Sequence, residues 1–129
     1  MQGDYTITLE DFLLRRFPII NEPKYLPFFK LVNGKYKPTS AAFKTKPNED
    51  GLSVNIKELT PSLKNFVEDT DSFQVAEFSA SIPLSNGFVC RHDPNPPQDP
   101  NNYAHALIEG DTGKLAKKIS KNCSVIHEL

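Results

Sequence analysis

Two histidines flank a single loop in this chain. One stands in the run Cys90-Arg91-His92-Asp93, the other in Tyr103-Ala104-His105-Ala106-Leu107, and Pro94, Pro96, Pro97 and Pro100 lie between them. Imidazole changes charge near neutral pH, so two imidazoles beside a fixed cation could move protons and hold a phosphate. Arg91 and Asp93 complete that set. His92, His105, Arg91 and Asp93 are therefore the candidate residues of a small hydrolase or nuclease-like enzyme. His92, Asp93, Asp99 and His105 are also donor types for a divalent ion. Their spacing matches no ligand signature, so neither a metal nor a cofactor is expected. Cys90 would share a strand face with His92, but no Gly-x-Ser-x-Gly elbow or similar nucleophile signature accompanies it. Cys90 and Cys123 read as small core residues in a reducing compartment.

The elements around the loop must bring these groups together. Residues 87–92 and 103–109 read as strands, and consecutive strands are usually antiparallel neighbours. The expectation is that His92 and His105 share one polar pocket, roofed by the loop 93–102. Residues 52–56 and 73–80 alternate apolar and polar, as half-buried strands do. Asn33-Gly34 between 28–32 and 35–37 predicts a hairpin with a type I′ turn. Thr8 with Asp11 approximates a capping box, and Leu9, Phe12, Leu13 and Arg16 share a helical face, so a helix is expected over 8–16. Thr60-Pro61 is the expected start of a short helix carrying Leu63, Phe66 and Val67. Asp111-Thr112 would cap a last helix through 122, with Leu115, Ala116 and Ile119 inward, before a final short strand at 123–127.

Strands and short helices alternate here without a βαβ rhythm. That predicts the α+β class, a small mainly antiparallel sheet with two or three short helices. At 129 residues one domain over 1–129 is expected, and nine Phe and four Tyr supply core surface despite a mean hydropathy of −0.44. The expected core is Phe43, Val54, Ile56, Val75, Phe78, Val89, Leu107 and Ile119. No apolar run is long enough to span a bilayer and no leader opens the chain, so no membrane is expected and the cytoplasm is the default location.

Two surfaces invite partners. Lys114, Lys117, Lys118 and Lys121 fall on the outer face of the last helix, which an acidic partner or a nucleic acid could meet. A net charge of −1 argues against a dedicated polyanion binder. Gly110-Asp111-Thr112-Gly113-Lys114 reads as a capped turn, too short for a phosphate loop. The aromatic, proline-rich segment 17–29, with Tyr25, Phe28 and Phe29, either wraps the core or presents a protein-binding surface.

Ser40-Ala41-Ala42-Phe43, Leu52-Ser53-Val54 and Asn102-Tyr103-Ala104-His105-Ala106-Leu107, ending at Gly110 and a basic helix, follow one another in a recognisable order. Over about residues 15–120 the chain resembles a family of short bacterial proteins that carry these blocks and have no assigned activity. It departs from them in its longer aromatic N-terminal segment and its only moderately basic last helix. The resemblance implies a bacterial, soluble, single-domain protein. With no catalytic signature, the expected function is a non-catalytic protein-interaction module, an accessory subunit of a bacterial multi-component system. The alternatives are the His92/His105 enzyme and nucleic-acid binding through the lysine face.

Overall fold

The computed structural model describes residues 3–129. Eight strands and three short helices follow in chain order: β1 (Phe12–Pro18), β2 (Phe29–Val32), β3 (Lys35–Pro38), β4 (Gly51–Ile56), α1 (Leu63–Val67), β5 (Phe73–Ser79), α2 (Ser81–Ser85), β6 (Cys90–His92), β7 (His105–Glu109), α3 (Ala116–Lys121) and β8 (Ser124–Ile126). Six strands form one sheet in the order β6-β7-β4-β1-β5-β8, and β2 pairs with β3 alone. Every pairing is antiparallel, so the fold is α+β with a mainly antiparallel sheet, as the sequence predicts. Among the described residues no helix is long and apolar enough to cross a membrane.

The two faces of the sheet differ. One carries Leu13, Phe17, Val54, Ile56, Phe78 and Ile108 into the main core, closed by Phe43 and by Ala116 and Ile119 of α3. Phe43 and Phe78 meet edge to face at 5.7 Å, a geometry the ring quadrupoles favour. On the other face Leu14 and Val75 meet Leu63 and Val67 of α1 in a smaller buried cluster. Beside that patch it turns polar, at Ser53, Asn55 and His105.

The hairpin turn has the expected form, because Asn33 and Gly34 both have positive φ, 51° and 76°. Four other expectations are corrected. The expected helix over 8–16 is a strand: β1 pairs with β5 from Phe12↔Ser79 to Pro18↔Phe73. Its polar start is a tight turn, in which the Thr8 N–H donates to Asp11 Oδ2 (2.8 Å) and the Asp11 N–H donates to the Thr8 carbonyl (3.1 Å). The N-cap of α1 is Ser62, whose hydroxyl accepts from the Asn65 N–H at 3.1 Å. Thr60 lies earlier, buried. Helix α3 starts only at Ala116, because Thr112 is buried and spends its hydroxyl on the Phe43 carbonyl at 2.6 Å.

The last correction concerns the core. Val89 precedes β6 and is 57 % exposed, and Leu107 is half-buried because Ala106 and Ile108 hold the core side of β7. Val75 is buried in the smaller cluster under α1. The other five expected residues, Phe43, Val54, Ile56, Phe78 and Ile119, share the main core.

Candidate functional site

Strand β6 lies beside β7 in the register Cys90↔Ile108, Arg91↔Leu107, His92↔Ala106. Directly opposed residues share a face, and successive residues alternate. His92 therefore joins Ala106 on the core face, while His105 points the other way. The two imidazoles sit on neighbouring strands but not in a shared pocket, which corrects the expected pairing.

His92 is 1 % exposed and fully satisfied. Its Nδ1 accepts the Tyr5 N–H at 3.2 Å, so the proton sits on Nε2, which donates to the Tyr103 carbonyl at 2.7 Å. The Tyr5 and Tyr103 rings both meet it in a T-shaped arrangement. The N-terminal segment is clamped here, since the Gly3 N–H donates to the His92 carbonyl at 2.8 Å. A Cβ at Gly3 would run into the imidazole. His92 holds structure.

His105 is 4 % exposed and carries the opposite tautomer. Its Nδ1 faces two acceptors, the Asp93 carbonyl at 3.0 Å and the Asp93 carboxylate at 3.2 Å. Only an Nδ1–H can serve them. Arg91 anchors that carboxylate from behind, at 3.4 Å, while its Nε donates to Glu109 at 2.6 Å. His105 Nε2 is buried and has no partner. A buried polar atom left unpaired is costly, commonly by about 1–3 kcal/mol, and such an exception calls for a structural or functional reason.

His105 lines two adjoining clefts of about 840 and 320 Å³. Both are also lined by Arg16, Ser53, Asn55, Phe66, Asp99 and Asn102, so they form one groove. The β1–β4 pairing explains why a groove exists. Its register holds for Leu13↔Ile56 and Leu14↔Asn55. Beyond it Arg15 spans the gap, Nε to the Ala42 carbonyl (2.9 Å) and Nη1 to the Ser53 carbonyl (2.8 Å). Burial pushes the Arg15 guanidinium down to about 10, with Glu49 opposing, which leaves it protonated at neutral pH.

Asn55 and Asn102 form the floor. The Asn55 amide donates to Thr60 Oγ1 and to Asn102 Oδ1, both at 3.2 Å. The Asn102 amide donates to Asn55 Oδ1 at 2.6 Å and to the Asp99 carboxylate at 3.0 Å. Thr60 passes its own proton to the Ile56 carbonyl at 2.8 Å. Of these residues only Asp99 is among the sequence candidates, as a metal-donor type; Asn55, Asn102 and Thr60 are not site candidates. The 52–56 alternation places Asn55 opposite the core, where it reads as solvent-facing, yet it is 2 % exposed.

The other candidates divide. Tyr25 and Phe28 line the smaller cleft together with Phe66 and Phe73. Phe29 instead packs on the main core, edge to face with Tyr36 at 5.7 Å. Lys114, Lys117, Lys118 and Lys121 are all exposed. They sit on and before α3, which covers the core face, so they do not join the groove. Cys90 is aligned with Ile108 on the core face, and burial, then Glu109, pushes its thiol up to about 12. A thiol held there is a poor nucleophile. Among the described residues no three His, Cys, Asp or Glu side chains converge to hold a metal ion. No family model matches this chain, and no curated protein or solved structure matches it either.

Proposed function

We propose that the chain is a non-catalytic protein-recognition module whose groove takes an extended segment of a partner, in the manner of an accessory subunit of a bacterial assembly. One observation carries this reading. Two features that are far apart in sequence, the Tyr25/Phe28 segment and the Asn55–Asn102–His105 floor, line the same groove. Aromatic walls give apolar contact at low entropy cost, and a polar floor sets register, which is how grooves read extended chains. The larger cleft is lined mostly by polar side chains, unlike the usual enclosed, apolar small-molecule pocket.

The test is association with the partner, measured for the intact chain and its variants. Tyr25→Ala should weaken it about tenfold or more, the loss typical of an aromatic anchor. A Lys117→Glu/Lys121→Glu double variant should leave it unchanged. The reverse pattern would move the interface to the lysine face and favour the nucleic-acid or acidic-partner reading.

A second reading has its own support. Asp93 fixes His105 Nδ1–H and leaves Nε2 without a partner, the arrangement of a general base. A hydrolase or nuclease-like activity would then rest on His105 alone, since His92 is spoken for. Turnover of RNA or an ester that vanishes in His105→Gln would support it.

A further inference from the structure

The hydrogen-bond inventory of the groove floor is one-sided. Each carboxamide has two N–H donors and two acceptor lone pairs. Both Asn55 protons are spent, on Thr60 and Asn102, and both Asn102 protons are spent, on Asn55 and Asp99. Thr60 gives its proton to Ile56, and His105 gives its Nδ1 proton to Asp93. What remains is acceptor capacity: one lone pair on each amide oxygen and on Thr60, the free Asp99 oxygen, and the bare His105 Nε2. That last atom is buried and unpartnered.

The charges agree. Three carboxylates, Glu58, Glu68 and Asp99, line the larger cleft against one cation, Arg16. Arg16 lies over the Phe66 ring at 5.2 Å and donates to the Phe66 carbonyl at 3.2 Å. The smaller cleft adds Arg15 and Lys46, so the acidic excess belongs to the larger cleft; Arg15 is likewise occupied by carbonyls. A ligand seated on the floor must bring several donors, and positive charge suits the carboxylates of the larger cleft. A guanidinium offers five N–H donors in a plane and stacks well on aromatic rings, whereas an ammonium offers three around a point.

We infer that the groove floor, at His105, Asn55, Asn102 and Asp99, receives the guanidinium of an arginine carried by the partner's segment. This rests on the protein-recognition reading and specifies its chemistry. The flanking residues of the segment lie along Tyr25, Phe28 and Phe73, so the arginine is read as part of a chain.

The test uses the intact protein and short synthetic peptides, with binding followed by titration calorimetry. A peptide with one central arginine between apolar residues should bind. Its citrulline analogue, which keeps the shape but loses the charge and exchanges two of the five donors for a carbonyl acceptor, should bind at least tenfold more weakly, and a glutamate analogue should not bind. Asp99→Asn, which still accepts from Asn102, should weaken the arginine peptide about tenfold or more. Glu58→Gln, at an exposed rim position, should weaken it less without altering melting. Equal binding of the arginine and citrulline peptides, or tighter binding of the glutamate peptide, would overturn the inference. Argininamide binding as tightly as the peptide would overturn the partner segment as its source. Should Tyr25→Ala abolish association with a protein partner while the arginine peptide fails to bind, the recognition reading stands and the arginine does not.

Discussion

His92 and His105 stand on neighbouring strands with opposite tautomers and opposite faces. His92 receives a backbone N–H on Nδ1 and donates from Nε2, whereas His105 donates from Nδ1 and keeps Nε2 bare. The register that aligns His92 with Ala106 imposes this separation. One histidine is thereby committed to the fold and the other left for an occupant.

His92→Ala should lower stability by about 2–4 kcal/mol, because it removes two buried hydrogen bonds and opens a void. Partner association should be unchanged once the protein is folded. His105→Ala should do the converse, weakening association about tenfold with a smaller stability loss. Denaturant melts and binding isotherms of the two variants check this, and equal effects on binding would contradict it.

Phe78→Ala and Leu107→Ala should separate clearly. Phe78 is 1 % exposed and packs on Phe43 in the main core, so its truncation should cost about 3–5 kcal/mol. Leu107 is half-buried on the far face, and its loss should cost about 1–2 kcal/mol. Equilibrium unfolding in urea compares them, and equal losses would mean that the β7 phase is wrong.

Much of the fold is legible in the chain. The alternation through Val54 and Ile56, the Asn33-Gly34 turn and the strand ending at Ser79 all follow from local periodicity and turn chemistry. The misread element, β1, shows where that fails. It is interior to the sheet and buries Leu13 and Phe17 on one side and Leu14 on the other. A strand covered on both faces loses its period of two and imitates a helix. The site was half legible. His105 stood out as a chemically capable residue, and the proline loop marked its surroundings. Asn55 and Asn102 did not stand out, because their pairing spans 47 positions and appears only once β4 meets β7. Nor does a run such as Arg91-His92-Asp93 tell which residue faces the core until a neighbour fixes the register.

Asn55 and Asn102 should be energetically coupled. Each Ala variant leaves the other amide buried and partly unpaired, at a cost of about 1–3 kcal/mol. The double variant should cost less than the sum of the two, by about 0.5–3 kcal/mol. Strict additivity in a double-mutant cycle would contradict the reciprocal pair.

Tyr5 gives a pH signature. Its hydroxyl donates to Asp11 Oδ1 at 2.7 Å, and that bond, then burial, pushes the phenol up to about 12. A folded value above the unfolded one, about 10, favours the protonated phenol in the native state. The contribution is fully present below about pH 10 and is lost as pH rises towards 12. Tyr5→Phe should remove this alkaline decline. Stability measured against pH for both proteins checks it, and parallel curves would contradict it.

The imidazole nitrogens test the central claim most directly, the claim that His105, and not His92, presents a bare acceptor to whatever fills the groove. Nitrogen–proton correlation spectra of the neutral rings should show the proton of His105 on Nδ1 and that of His92 on Nε2. Addition of the partner, or of the arginine peptide, should shift the His105 nitrogens and leave those of His92 in place. A His105 proton on Nε2, or a ligand that moves His92 and leaves His105 unchanged, would contradict the account.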